Sequence, residues 1–260
     1  MTNNPKKSYK LSSYARTKLS SLSDEYNSKI GVSITSKPLK GGWTVNVKDV
    51  LKSGRIDAAY HDPYTLYAAE ELKKHGGSIM SEKANIVKPS GRYKTNYVDK
   101  ENGEPLLSGR QLLQHEVVNM KYLPKLSHDK YSEFRLKHNS VAYPADGRVE
   151  GRLGTPTFIS KKRTDWFASG QIGRVIPKEN VHPGYIYLAM LHPIVQAELY
   201  SLACGSVVDS VYPDDVEKII IPPEIDFDYT GVVDAWEKFD EADSLKNEAC
   251  KIFEESINRI

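Results

Sequence analysis

Two cysteines in 260 residues, Cys204 and Cys250, are too few for a disulfide framework or a metal site of their own. No apolar run approaches the length of a membrane span. The first seven residues, Met-Thr-Asn-Asn-Pro-Lys-Lys, lack the apolar segment of a secretion signal, so a cytoplasmic protein with no membrane partner is expected. No glycine-rich phosphate loop occurs, and the 7 histidines show no pairing at three or four residues that would put two ligands on one helix face. What remains is an ordinary composition, 39% apolar and 27% charged, long enough for one sizeable core or one domain with helical appendages.

The net charge of +2 hides an asymmetry. Residues 88 to 174 hold 16 Lys and Arg against 9 Asp and Glu, whereas residues 209 to 260 hold 5 against 15. A basic middle can face phosphate and an acidic tail cannot, so the two parts suit different partners, although a charge run is often only a solvated face.

Residues 204 to 223 organise the rest. Gly205 is expected to close a helix, and Val207, Val208 and Val211 suit a short buried strand. Pro213, Asp214 and Asp215 start a single helical turn with acids first and Lys218 last, as the helix dipole favours. Ile219 to Ile221 form an apolar run too short for a helix, ended by Pro222-Pro223.

Upstream, Ala15, Leu19, Leu22, Tyr26 and Ile30 recur at helical spacing before Gly31, a narrow stripe that needs a partner helix. Trp43, Val45 and Val47 alternate with polar residues and predict a strand. Asp62 caps a helix beginning at Pro63 and running through Leu66 and Leu72 to Gly76. Asp57 and His61 invite an acid–base or metal role, but a turn leading into a capped helix explains them better. Residues 86 to 112 read as strands separated by turns, with Ser108-Gly109-Arg110-Gln111 on one turn. Such turns suit a solvated hairpin; they also suit base-edge reading, since Arg can grip guanine and Gln adenine with two hydrogen bonds. Residues 113 to 139 interleave cations and aromatics without clear periodicity. Val141-Ala142-Tyr143 predicts a strand before a turn at residues 144 to 148, and residues 172 to 176 predict another. Helices follow from Tyr185 to Leu191 and from Ile194 to Cys204, broken by His192-Pro193. Val232, Trp236, Phe239, Leu245, Ile252 and Phe253 mark an acidic helix with an apolar face from about residue 231 to the end.

Several of these stretches resemble the specificity (S) subunits of type I restriction–modification systems. Arg55-Ile56-Asp57-Ala58-Ala59-Tyr60-His61-Asp62-Pro63 is similar to the Arg-Leu-Asp-Ala-Glu-Tyr-Tyr-x-Pro start of their target recognition domains, with Ala59 in place of the acid and His61 where a second Tyr is usual. Arg92-Tyr93-Lys94, Tyr97-Val98-Asp99 and Gly103 to Gly109 keep the family's order, and Ala145-Asp146-Gly147 resembles its strand-turn. The match covers most of residues 30 to 260, is strongest from Gly184 to Pro223, and fades from Leu113 to Ser140, where such domains vary with the sequence they read. It implies an α+β fold: a mixed-sheet target recognition domain at residues 32 to 228, flanked by an N-terminal tail and amphipathic helix at 1 to 31 and a long C-terminal spacer helix at 229 to 260.

The resemblance further implies a non-catalytic, sequence-specific subunit that binds double-stranded DNA in a restriction–modification or related phage-defence system. It would direct a DNA adenine methyltransferase subunit and a restriction and translocase subunit. S-adenosylmethionine, magnesium and ATP would belong to those partners, with none in this chain. The missing chemistry agrees with that. Asp62-Pro63-Tyr64 falls short of a methyltransferase's Asn/Asp-Pro-Pro-aromatic motif, and Pro213 to Lys218 has the wrong spacing for a nuclease metal site. Arg92, Arg110, Gln111 and Gln171 are the candidates for base edges. Lys88, Lys94, Arg148, Lys161, Lys162 and Arg163 are the candidates for phosphate. Trp236, Phe239, Ala242, Ala249, Ile252 and Phe253 are expected to pack on a partner, a homodimer or the methyltransferase, unless the Ala15–Ile30 stripe covers them. The alternatives are a recognition domain detached from a fused methyltransferase–nuclease, or an adaptor or decoy that keeps the fold without reading DNA.

Overall fold

The computed structural model describes residues 43–89, 96–114, 117–125, 131–148, 152–205 and 208–257. The expected helix at Ala15 to Ile30 lies outside them, as do Arg92 and Lys94.

Residues 43 to 47 are not a strand. Alternation over five residues is a weak signal, and here capping overrides it. Asn46 accepts a hydrogen bond from the Lys48 N–H and starts helix α1, Val47–Ser53, which Gly54 stops in the left-handed conformation at φ 67°. Helix α2, Pro63–Lys74, begins as expected, with Asp62 accepting from the Tyr64 N–H and the Thr65 hydroxyl; it ends two residues before Gly76. Strand β1, Ser78–Ile79, and a turn of helix, α3, Met80–Lys83, lead to β2, Ala84–Val87. Strand β3, Gly103–Leu107, helix α4, Gly109–Leu112, and β4, Lys121–Pro124, follow. Then come β5, Val141–Pro144, β6, Asp146–Gly147, β7, Thr157–Phe158, β8, Phe167–Ala168, and β9, Ile172–Pro177. Helices α5, Pro183–Leu191, and α6, Pro193–Leu202, precede β10, Asp209–Ser210, helix α7, Pro213–Val216, β11, Ile220–Ile221, and the 29-residue helix α8, Tyr229–Ile257.

Two sheets carry the domain. One is antiparallel in the order β2-β9-β5-β7; the other is mixed, β4-β3-β8, with β3 and β8 parallel. Two short pairs, β1 with β11 and β6 with β10, tie distant segments together. The fold is therefore α+β with mixed sheets and a long C-terminal helix. Residues 144 to 148 form more than a turn, because Asp146–Gly147 pairs with Asp209–Ser210. That pairing also revises the valine strand: Val211 is buried, Val208 is exposed, and the strand itself is Asp209–Ser210. Helix α6 ends at Leu202, ahead of Gly205, where a Cβ would lie 1.9 Å from the Val208 carbonyl oxygen. Gly205 serves the tight connection to β10, where Cys204 and Ser210 exchange hydrogen bonds.

The main core packs α5 and α6 onto the four-stranded sheet through Tyr143, Val175, Tyr185, Met190 and Leu199, with Trp236 of α8 joining it. A Cβ on Gly173 would sit 2.3 Å from the Tyr143 ring, so that ring needs glycine on the neighbouring strand. A second cluster, Leu107, Leu112, Leu136, Ile159 and Ile172, joins elements of the two sheets. Fully burying one such side chain stabilises the fold by about 1.5–3 kcal/mol. Among the described residues no helix is long and apolar enough to cross a membrane.

Candidate nucleic-acid interface

A cleft of about 1050 Å³ opens between the ends of the two sheets. From the mixed sheet and its connections it receives Tyr97, Arg110, Asn119 and Lys121; from the antiparallel side, Lys88, Asp146 and Gln171. Four sequence-chosen residues, Lys88, Arg110, Gln111 and Gln171, thus line one cavity although 83 positions separate the first from the last.

They do not share one role. Ser108 caps α4 through a capping box in which the Gln111 side-chain oxygen accepts from the Ser108 N–H at 3.1 Å and from its hydroxyl at 3.0 Å. The Gln111 amide nitrogen donates to the carbonyls of Val118 and Asn119, both at 3.0 Å. A carboxamide has two acceptor sites and two N–H donors, and all four are used. Gln111 is 9% exposed and has nothing left for a base edge; the structure corrects that assignment. Lys88 Nζ lies 2.7 Å from Asp146 and over the Tyr212 ring, so it enters the cleft already neutralised. Arg110 and Gln171 are exposed in the cleft. Gln171 stands on a rigid turn: the Ser169 N–H donates to Leu107, the Ile172 N–H to the Ser169 carbonyl, and the Ala145 N–H to the Gln171 carbonyl at 2.8 Å.

The sequence reading missed Asn119 and Lys121. Asn119 lies in the left-handed region at φ 53°, a conformation Asn tolerates better than most residues. Lys121 is exposed and stands 4.4 Å over the Tyr97 ring.

The triplet Lys161-Lys162-Arg163 sits elsewhere, on a single 3-10 turn beneath α8. Asp240 accepts from the Lys161 N–H at 2.9 Å and lies 2.6 Å from His138 Nε2, and Asp243 accepts from the Ser160 hydroxyl. Arg163 donates to the carbonyls of Leu112 and Gln114, and burial lowers its pKa, opposed by Asp243. Two of its five N–H donors thus brace the fold, and the side chain is half-buried. Lys161 and Lys162 remain exposed, and Arg148 is exposed outside the cleft. Other cations of the basic middle also turn inward. Arg174 is 2% exposed, donates to the carbonyls of Arg135 and Glu133, and has its pKa pushed down to about 10 by burial. Arg135 pairs with Glu104 at 2.8 Å and stacks on Phe167.

Helix α8 divides in two. Trp236, 5% exposed, donates through Nε1 to Asn139 and meets Phe158 edge-on at 4.5 Å; Phe239 stacks on Phe158 at 5.6 Å while half exposed. The expectation that Trp236 needs a partner is corrected, because its own domain covers it. Ala242, Ala249, Ile252 and Phe253 stay exposed, as do Leu245 and Ile257. Among the described residues no group of three or more His, Cys, Asp or Glu is placed to hold a metal ion.

The class defined by this architecture is an α+β domain with a cleft between two sheets and a long helix rigidly rooted in it. No protein-family model matches the sequence, and no curated protein matches it. Solved structures do share the arrangement. The type IIG restriction endonuclease BpuSI is similar over 75% of this chain and 30% of its own, with a TM-score of 0.50 and 12% identity, a likeness of fold. The HsdS subunit from Thermoanaerobacter tengcongensis aligns over 91% of this chain and 52% of its own, with a TM-score of 0.42 and 10% identity. The type I restriction–modification S subunit from M. genitalium aligns over 67% and 40%, with a TM-score of 0.40 and 12% identity. The chain spans about half of these proteins' length or less.

Proposed function

We propose that this chain is the DNA-reading element of a restriction–modification or related defence system. It binds duplex DNA in a sequence-specific way and directs a separate adenine methyltransferase, and with it a nuclease, to the target. The observation that carries the reading is the inter-sheet cleft, where Arg110 of α4, Asn119 of the loop before β4, Lys121 at the start of β4 and Gln171 of the turn before β9 line one cavity. Exposed arginine and amide groups held on a rigid scaffold are what major-groove reading requires. The fold shared with a type IIG restriction endonuclease supports it.

The distal half of α8 is the surface proposed for the methyltransferase subunit. Leu245, Ile252, Phe253 and Ile257 form an exposed apolar face there at helical spacing, and the acids Asp234, Glu237 and Glu241 of the rooted half oppose phosphate beside it. S-adenosylmethionine, magnesium and ATP belong to the partners in this reading. The BpuSI likeness favours a second reading, the recognition region of a fused methyltransferase–nuclease. Selection from a random duplex library at low salt tests the first claim: a defined consensus is expected, and uniform recovery of all sequences refutes it. Capture of a methyltransferase as a separate polypeptide, in the absence of DNA, decides between the two contexts.

A further inference from the structure

The four bonds of Gln111 have a consequence for the loop they hold. Its amide nitrogen donates to two successive carbonyls, Val118 and Asn119. The Gln114 side chain accepts from the Val118 N–H at 3.3 Å, a third tie on the same loop. The loop is thus pinned by two side chains, one on α4 and one just after it. With its carbonyl held, Asn119 is left in the left-handed conformation, exposed, and lining the same cleft as Gln171. No bond from its carboxamide to another described residue is recorded, and a preset amide with open donors and acceptors matches the donor–acceptor pair on the major-groove edge of adenine.

We infer that Asn119 is a base-reading residue selective for adenine, and that Gln111 is its positioning residue. The inference rests on the DNA-reading function proposed above. Gln111 acts at one remove: it touches no base, and it fixes the backbone from which Asn119 reaches one. Neighbouring Lys121, over Tyr97, supplies a cation beside this amide.

The test is selection from a random duplex library by the full chain and three variants. Asn119→Gly keeps the left-handed backbone at no steric cost and deletes the amide. Asn119→Asp keeps the shape and offers acceptors only. Gln111→Glu keeps the acceptors that cap α4 and loses the two donors to the loop. The wild type is expected to require an A·T pair at one position. Asn119→Gly relaxes that position by about tenfold and no other. Asn119→Asp moves the preference there toward cytosine, whose amino group donates. Gln111→Glu relaxes the same position, and adding it to Asn119→Gly changes nothing more. Thermal melting of each variant shows that the domain is folded. A wild type that selects a sequence while Asn119→Gly selects the same one overturns this inference and leaves the proposed function standing. A wild type that selects nothing overturns both. Relaxation at a different position by Gln111→Glu overturns the positioning role.

Discussion

Two regions of this chain are rich in cations, the inter-sheet cleft and the turn at residues 160 to 163, and they use them in opposite ways. In the turn, Arg163 spends its guanidinium on the carbonyls of Leu112 and Gln114, while Asp240 and Asp243 of α8 bind the Lys161 N–H and the Ser160 hydroxyl. In the cleft, Arg110 and Lys121 are exposed, and the carboxylate lining it, Asp146, is engaged by Lys88. The turn has the denser charge, yet its arginine braces the fold and its backbone N–H and Ser160 hydroxyl root a helix. The difference teaches that a basic run reports a phosphate surface only where the donors are not already consumed within the fold.

The sharpest way to break that contrast is to exchange the fates of two arginines. Arg163→Ala removes two charged-donor hydrogen bonds and leaves the Leu112 and Gln114 carbonyls short, so stability should fall by about 2–4 kcal/mol. When folded, the variant should bind DNA as the wild type does. Arg110→Ala should leave the melting temperature unchanged and lose about 1–3 kcal/mol of discrimination at one base. Chemical denaturation alongside a sequence-selection assay checks both. Identical behaviour of the two variants would erase the distinction.

Helix α8 repeats the contrast along its length, a rooted proximal half and a bare distal half. Removal of residues 245 to 257 should leave the domain folded and abolish capture of the methyltransferase subunit. Light scattering of the full chain, alone and with that subunit, checks it. A full chain that gains no partner, with truncation altering nothing, refutes the assignment.

Much of this architecture was legible in the chain. Asp62-Pro63 announced α2 because a cap and a proline at the first helical position act locally. His192-Pro193 divided α5 from α6 for the same reason, and the spacing from Val232 to Phe253 gave α8. What was not legible was tertiary. How many donors Gln111 and Arg163 commit to the fold depends on carbonyls far along the chain or across a loop, which no pattern of residue types encodes. Residues 43 to 47 alternate like a strand over too short a span to outweigh Asn46 and Gly54, the cap and stop of α1. Asn119 left a usable signal, an Asn after Val117-Val118, where a left-handed turn residue is plausible before a strand. The interleaving of aromatics and cations around it concealed that signal.

A further contrast concerns acids. Those on α8 face solvent or polar groups, whereas Glu198 of α6 is half-buried, accepts from the Ile220 N–H at 3.2 Å, and has its pKa pushed up to about 8 by desolvation. An acid whose folded pKa is raised binds more protons folded than unfolded between its two pKa values. Its contribution to stability is therefore present below the ordinary carboxylate range and is lost as pH rises toward about 8. Each unit crossed costs at most about 1.4 kcal/mol. Glu198→Gln keeps an acceptor for Ile220 and should flatten this dependence, leaving the variant more stable than the wild type at pH 8. Melting curves between pH 5 and pH 9 check it, and parallel profiles for both proteins would rule it out.

The smallest expected effect tests the cleft and the turn with one lysine each. Lys121 lines the cleft, and its ammonium over Tyr97 remains accessible. Lys161 is exposed too, but its ammonium lies 4.0 Å from Asp240 and its turn faces the acidic helix. Each lysine–phosphate contact releases about one condensed counterion, so its loss lowers the slope of log affinity against log salt by about 1. Lys121→Ala should lower that slope and weaken all sequences alike, because phosphate contacts carry no base information. Lys161→Ala should leave the slope where it was, since Asp240 and Asp243 oppose phosphate at that surface. Salt titrations of binding to a non-specific duplex, wild type beside both variants, measure the difference. A slope lowered by Lys161→Ala and untouched by Lys121→Ala would place the backbone of the DNA along the turn and move the interface off the cleft.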